Sequence, residues 1–93
     1  MTKHKLFSIF EIMSQSQSIS VSSLKPGERA VVEQYASNAG REYKLKLLAL
    51  GLTKGTEFTV VKASPFGDPV EIELRGYRLS LRRHEAEVVL CSQ

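Results

Sequence analysis

The stretch from residue 70 to residue 82 constrains the fold more than any other. Val70, Ile72 and Leu74 alternate with Glu71, Glu73 and Arg75. After Arg75-Gly76 the alternation resumes, with Tyr77, Leu79 and Leu81 set against Arg78, Ser80 and Arg82. A period of two with one charged face describes a strand that is wet on one side and buried on the other. Two such runs joined by a two-residue, glycine-containing turn form an antiparallel hairpin. Glu71 and Glu73 then have Arg78 and Arg82 available as cross-strand partners. Just upstream, Ser64-Pro65-Phe66-Gly67-Asp68-Pro69 places two prolines and a glycine in six residues, which dictates a loop.

The rest of the body punctuates itself in the same way. Lys25-Pro26-Gly27-Glu28 is a turn, because proline presets φ and glycine permits positive φ. Residues 29–36 follow as a strand carrying Val31, Val32 and Tyr35, and Ser37-Asn38-Ala39-Gly40 ends it. The period then changes. Leu45, Leu48 and Leu52 are spaced three and four apart, Leu47 and Leu50 widen the stripe, and no β-branched residue occurs between Ala39 and Leu52. Gly51 sits where a helix C′ glycine belongs, so 41–50 is expected to be a helix with Leu45–Leu52, like Leu79 and Leu81, in the core. Thr53-Lys54-Gly55 turns the chain into a strand at 57–64. Residues 82–85 read as a short turn before a last strand at 86–91. Five short strands with tight turns predict a mostly β fold: a small SH3-like five-stranded barrel with one inserted α-helix over residues 24–93.

Residues 1–23 differ in character and read as an extension and tether. Lys3, His4 and Lys5 precede an apolar stretch resembling a signal peptide, but Glu11 interrupts it and no small-x-small cleavage site follows. Ser14-Gln15-Ser16-Gln17-Ser18 is a polar low-complexity tether. Leu6, Ile9, Phe10 and Met13 fall at i, i+3, i+4 and i+7, so a helix here would have one wholly apolar face. Three readings stand: a start-site extension, a short helix docking on the body or on another protomer, and an interfacial membrane anchor. The periodicity favours docking or self-association, since about 8–10 residues do not hold a helix alone in water.

Composition removes several classes. No apolar run approaches the roughly 18 residues of a membrane helix, which leaves at most a peripheral membrane association. The single cysteine, Cys91, closes no internal disulfide and lies in the apolar run Val88-Val89-Leu90-Cys91, which suits a buried thiol in a reducing compartment. There is no P-loop, dinucleotide fingerprint or CxxC, and His4 and His84 stand far apart. Adjacent His84-Glu85 makes no dyad on a strand, because neighbouring side chains there face opposite ways. His84, Glu85 and Cys91 lack metal-ligand spacing. A non-enzyme without cofactor or metal site is expected, with His84-Glu85 in a solvated turn. Net charge is +3 and the pI about 9.2. Residues 24–93 hold eleven Lys/Arg against nine Asp/Glu, so most of that charge is compensated in place. With Glu71 and Glu73 among the arginines and few stacking aromatics, no nucleic-acid surface is expected.

The order and spacing of Lys46-Leu47-Leu48-Ala49-Leu50-Gly51-Leu52, Gly55, Ser64–Val70, Tyr77–Arg82 and Glu85-Ala86 resemble the ferrous-iron transport protein A family, FeoA, over about residues 20–91. Leu50, Gly51, Leu52, Gly55, Pro65, Gly67, Pro69, Leu81 and Arg82 carry that likeness as structural motif positions. Lys54 stands where the family usually has proline, and Phe66 where leucine is common. The resemblance implies a small cytoplasmic bacterial SH3-like protein at the inner face of the membrane. Its implied partner is the cytoplasmic GTPase domain of a ferrous-iron permease, FeoB, which it regulates or helps assemble by protein contact rather than by chemistry on iron. The candidate contact residues are Arg41 and Lys44 on the helix with Phe66 and Asp68 on the proline-bounded loop. Three other classes remain open. One is the SH3-like C-terminal domain of metal-dependent repressors resembling the diphtheria-toxin repressor, although residues 1–23 are too short for the upstream helix-turn-helix and ligands. The others are a nucleic-acid-binding barrel and a self-associating module working through the Leu6, Ile9, Phe10, Met13 stripe.

Overall fold

The hairpin forms as the alternation requires. In the computed structural model, which describes residues 18–93, strands Val70–Leu74 and Tyr77–Leu81 pair antiparallel with Leu74 opposite Tyr77. Arg75 and Gly76 both take positive φ, 48° and 84°, the requirement of a two-residue turn that matches strand twist. In chain order the elements are β1 (Ile19–Ser20), a 3₁₀ turn (Val21–Ser23), β2 (Arg29–Tyr35), α1 (Arg41–Ala49), β3 (Glu57–Ala63), β4 (Val70–Leu74), β5 (Tyr77–Leu81), α2 (Arg83–Val88) and β6 (Val89–Ser92). The strands make one antiparallel sheet in the order β1-β6-β2-β3-β4-β5.

The registers of β2–β6 and β3–β4 each slip once, between Val32 and Gln34 and between Val60 and Lys62. Such bulges bend a strand and increase its twist, which lets a short sheet curl over its own apolar face. Ala30, Val32, Phe58, Val60, Val70, Ile72, Leu74, Leu81, Val89 and Cys91 point to that inner side and are buried. Glu73 lies opposite Arg78 in the register, and the Arg78 guanidinium also reaches Glu71 at 3.6 Å. Arg82 lies beyond the end of β5 and outside this ladder.

Three features depart from the expectations. The sheet has six strands rather than five, because Ile19–Ser20 pairs with β6 from within the stretch assigned above to the tether. Val21 and Leu24 are buried beside it. Two residues in a serine-rich run carry no period, and only the partner strand makes them a strand. Second, the expected turn and strand at 82–91 resolve into α2 followed by β6. The Glu85 carboxylate accepts the Arg82 backbone N–H at 2.9 Å, satisfying one of the donors that a helix start leaves open. Third, the leucine stripe of α1 does not face inward. Leu47 is the one buried residue of that helix, with Leu52 buried just beyond it, whereas Leu45 is 56% and Leu50 36% exposed and Leu48 is half-buried. Leu79 is likewise half-buried against the core while Leu81 is fully buried. Tyr77, expected inward, is exposed.

The chain after α1 is tied down by hydroxyls. A helix leaves its last carbonyls without partners. Here the Leu50 carbonyl accepts from Tyr77, that of Gly51 from Thr56 Oγ1 at 3.2 Å, and that of Leu52 from Tyr35 at 2.8 Å. Burial pushes the Tyr35 phenol up to about 12, so it stays a donor across the physiological range. Gly51 takes φ +104°, as a helix-ending glycine does.

Candidate functional site

The proline-bounded loop is held by one side chain. Ser64 Oγ donates to the Asp68 carbonyl at 2.9 Å and accepts the Asp68 N–H at 3.2 Å, and the Gly67 N–H donates to the Ser64 carbonyl at 2.8 Å. This closed loop leaves Phe66 at its tip, 85% exposed. Asp68 is exposed, yet its Oδ1 accepts the backbone N–H of Arg83, the first residue of α2, at 3.1 Å. Asp68 therefore anchors the loop to α2 as well as facing solvent.

The next two residues of α2 hold α1. Tyr43 Oη and His84 Nε2 lie 2.5 Å apart, with ring centroids at 4.9 Å. Lys46 Nζ donates to Glu85 Oε2 at 2.8 Å. Glu85 is 2% exposed, so it does not lie in the solvated turn expected for His84-Glu85. Burial alone would raise its carboxyl. The hydrogen bond from Lys46, the Arg82 N–H and the nearby charges of Lys46 and His84 outweigh that and hold it below the ordinary value. Arg83, His84 and Glu85 thus join the loop to the helix, and the two halves of the expected contact surface meet through α2.

Arg41 and Lys44 are exposed on α1, as expected of contact residues. A concavity of about 570 Å³ lies against the first turn of that helix, lined among the described residues by Gly40, Arg41, Glu42, Tyr43 and Lys46. Tyr43, Lys46, His84 and Glu85 were not singled out from sequence as parts of this site. The one local signal was a glutamate three residues after a helix-start position, as in a capping box, but Arg82 in place of Ser or Thr disguises it. Leu6, Ile9, Phe10 and Met13 lie outside the described residues. Among the described residues, no group of three or more His, Cys, Asp or Glu side chains gathers as a metal site would. Cys91 is fully buried, and burial, with Glu33 nearby, pushes its thiol up to about 11.

A bent antiparallel sheet of short strands with an inserted helix defines an SH3-like domain, and comparison bears this out. FeoA of Stenotrophomonas maltophilia in complex with zinc, an SH3 domain protein, superposes with a TM-score of 0.69 at 29% identity over 80% of this chain and 89% of that one. FeoA of Chlorobium tepidum gives 0.71 at 36% identity over 80% and 69%. A manganese-dependent transcriptional repressor gives 0.76 at 12% identity over 83% of this chain and 37% of that one, a likeness of fold alone.

The FeoA domain family model matches residues 19–93, and the chain belongs to the FeoA family. A fusion protein of Fe(2+) transport protein A and Fe(2+) transporter FeoB from Porphyromonas gingivalis is 32% identical over 66 residues. That match covers 71% of this chain but 8% of the relative. The family is thereby linked to ferrous-iron transport.

Proposed function

We propose that this protein is a cytoplasmic accessory factor of ferrous-iron uptake that binds the GTPase domain of a FeoB-like permease and regulates or assembles it by protein contact. The observation that carries the reading is the fused relative, in which a segment similar to this chain shares one polypeptide with the transporter. Fusion raises the effective concentration of two modules that work together, and separate chains must supply the same proximity through a contact surface. The surface assigned to that contact is the outer side of α1 with Arg41 and Lys44, and the loop tip with Phe66. A large exposed aromatic beside free basic side chains has the make-up of an interface anchor with a polar rim. The reading places no reaction on this chain. Among the described residues no helix is long and apolar enough to cross a membrane, so the proposal has the partner bring the protein to the bilayer.

The test is a pull-down of the full chain on the permease's GTPase domain, with and without nucleotide. Wild type should bind, and the double substitution Phe66→Ala/Lys44→Glu should weaken binding at least tenfold. Undiminished binding by the variant would refute the surface. Absence of wild-type binding in every nucleotide state would refute the function.

A further inference from the structure

We propose that the N-terminal segment of this chain, through Leu6, Ile9, Phe10 and Met13, packs along the outer stripe of α1 in the same molecule. The stripe is the feature left without a partner by the described fold. Leu45 is 56% exposed, with Leu48 half-buried and Ala49 exposed one turn on. Leu45, Leu48 and Ala49 stand at the i, i+3, i+4 spacing that marks a face meant to be covered. Single exposed leucines need no explanation, but a helix that buries only Leu47 while showing such a stripe has its apolar side turned outward.

The chain itself carries the complement within reach. Leu6, Ile9, Phe10 and Met13 form a stripe of the same period, on a segment too short to be helical without something to pack on. The described chain emerges at β1, and both β1 and the 3₁₀ turn pack against α2. Helix α2 in turn touches α1 through His84–Tyr43 and Glu85–Lys46. Only α2 therefore separates the exit from the stripe. A six-residue helix is about 9 Å long, and the five residues Ser14–Ser18 span up to about 17 Å when extended. The charges agree as well. Glu11, the one carboxylate of the segment, would meet a helix whose exposed side bears Arg41 and Lys44, while Lys3 and Lys5 have Glu42 as a counterpart. A tether this short favours the same molecule over a second copy, because it keeps the segment at high effective concentration.

The chain has no tryptophan, so Phe10→Trp places a single reporter in the full-length protein. Its emission should be blue-shifted relative to the chain in denaturant, and acrylamide quenching several-fold slower. Adding Leu45→Glu, a surface change that leaves the core intact, should return both to the exposed values, whereas adding Phe66→Glu should leave them unchanged. The signal should not vary with protein concentration, and sedimentation should give a monomer. Emission as red as in denaturant would overturn the proposal. So would a buried signal indifferent to Leu45→Glu, which would place the segment elsewhere. A signal that reddens on dilution as a dimer dissociates would assign the stripe to a second copy.

Discussion

Gly51 is the residue with the least freedom to change. Its φ of +104° strains any L side chain, and a Cβ there would lie 2.5 Å from the Tyr77 hydroxyl. That hydroxyl cannot simply move away, because it donates to the Leu50 carbonyl. Gly51→Ala should therefore cost about 1–3 kcal/mol of stability in denaturant melts. Tyr77→Phe alone should cost about 1 kcal/mol for the lost hydrogen bond. The double variant should lose less than the sum, since removing the oxygen relieves the clash, and strict additivity would show that backbone strain alone is at work. Cys91 makes the second argument at this scale. Its Sγ is fully buried, contacts the Ile19 carbonyl at 3.3 Å, and its thiol titrates at about 11. Native protein at pH 8 should resist iodoacetamide and become alkylated only as it unfolds, which mass spectrometry across a denaturant series would show. Both residues were legible in the sequence, Gly51 from its place after a leucine stripe and Cys91 from its apolar run. What sequence did not show was Tyr77 standing over Gly51, since that contact is made across 26 residues of intervening chain.

Among the elements, α1 shows how far periodicity reaches. The three-and-four spacing of its leucines located the helix nearly to the residue, yet Leu45 faces solvent and Leu47 faces the core. Spacing records that a face is apolar and is silent on what covers it. The short α2 failed to read for the opposite reason. Six residues are less than two turns, and the helix is fixed by Glu85 turning back to the Arg82 N–H and across to Lys46. Its stability should thus follow the charge of Glu85. The folded state holds this carboxyl below its ordinary value of 4.5. The resulting stabilisation is complete above the unfolded value and is lost as pH falls through the folded one. Wild type should weaken on acidification through that window, and Glu85→Gln should show a flatter stability curve there. At pH 7 the same variant should be less stable by about 1–2 kcal/mol, because a charge-assisted hydrogen bond becomes a neutral one while Lys46, 55% exposed, is rehydrated. Parallel pH profiles of the two proteins in thermal melts would show that α2 does not depend on this carboxylate.

For the whole molecule, the decisive question is where the domain starts. Turn chemistry suggested residue 24, at the edge of Lys25-Pro26-Gly27. The six-stranded sheet instead begins at Ile19, and the FeoA family model begins at the same residue. The difference is a matter of burial. Val21 is wholly buried, and full burial of such a side chain is worth about 1.5–3 kcal/mol. Ile19 packs against the core from its partly buried position and closes the outer edge of β6, where it faces Cys91 in the register. A chain beginning at Leu24 should therefore be less stable than one beginning at Ser18 by about 2–4 kcal/mol, a large share of the small margin available to a domain of this size. The same comparison carries an independent reading at the far end of the chain. Once β1 is gone, β6 becomes the sheet edge and the Cys91 thiol loses its cover, so iodoacetamide should modify it at pH 8 before global unfolding. Equal melting temperatures and equal thiol protection in the two shortened chains would show that the core closes without β1 and that the domain begins at the turn.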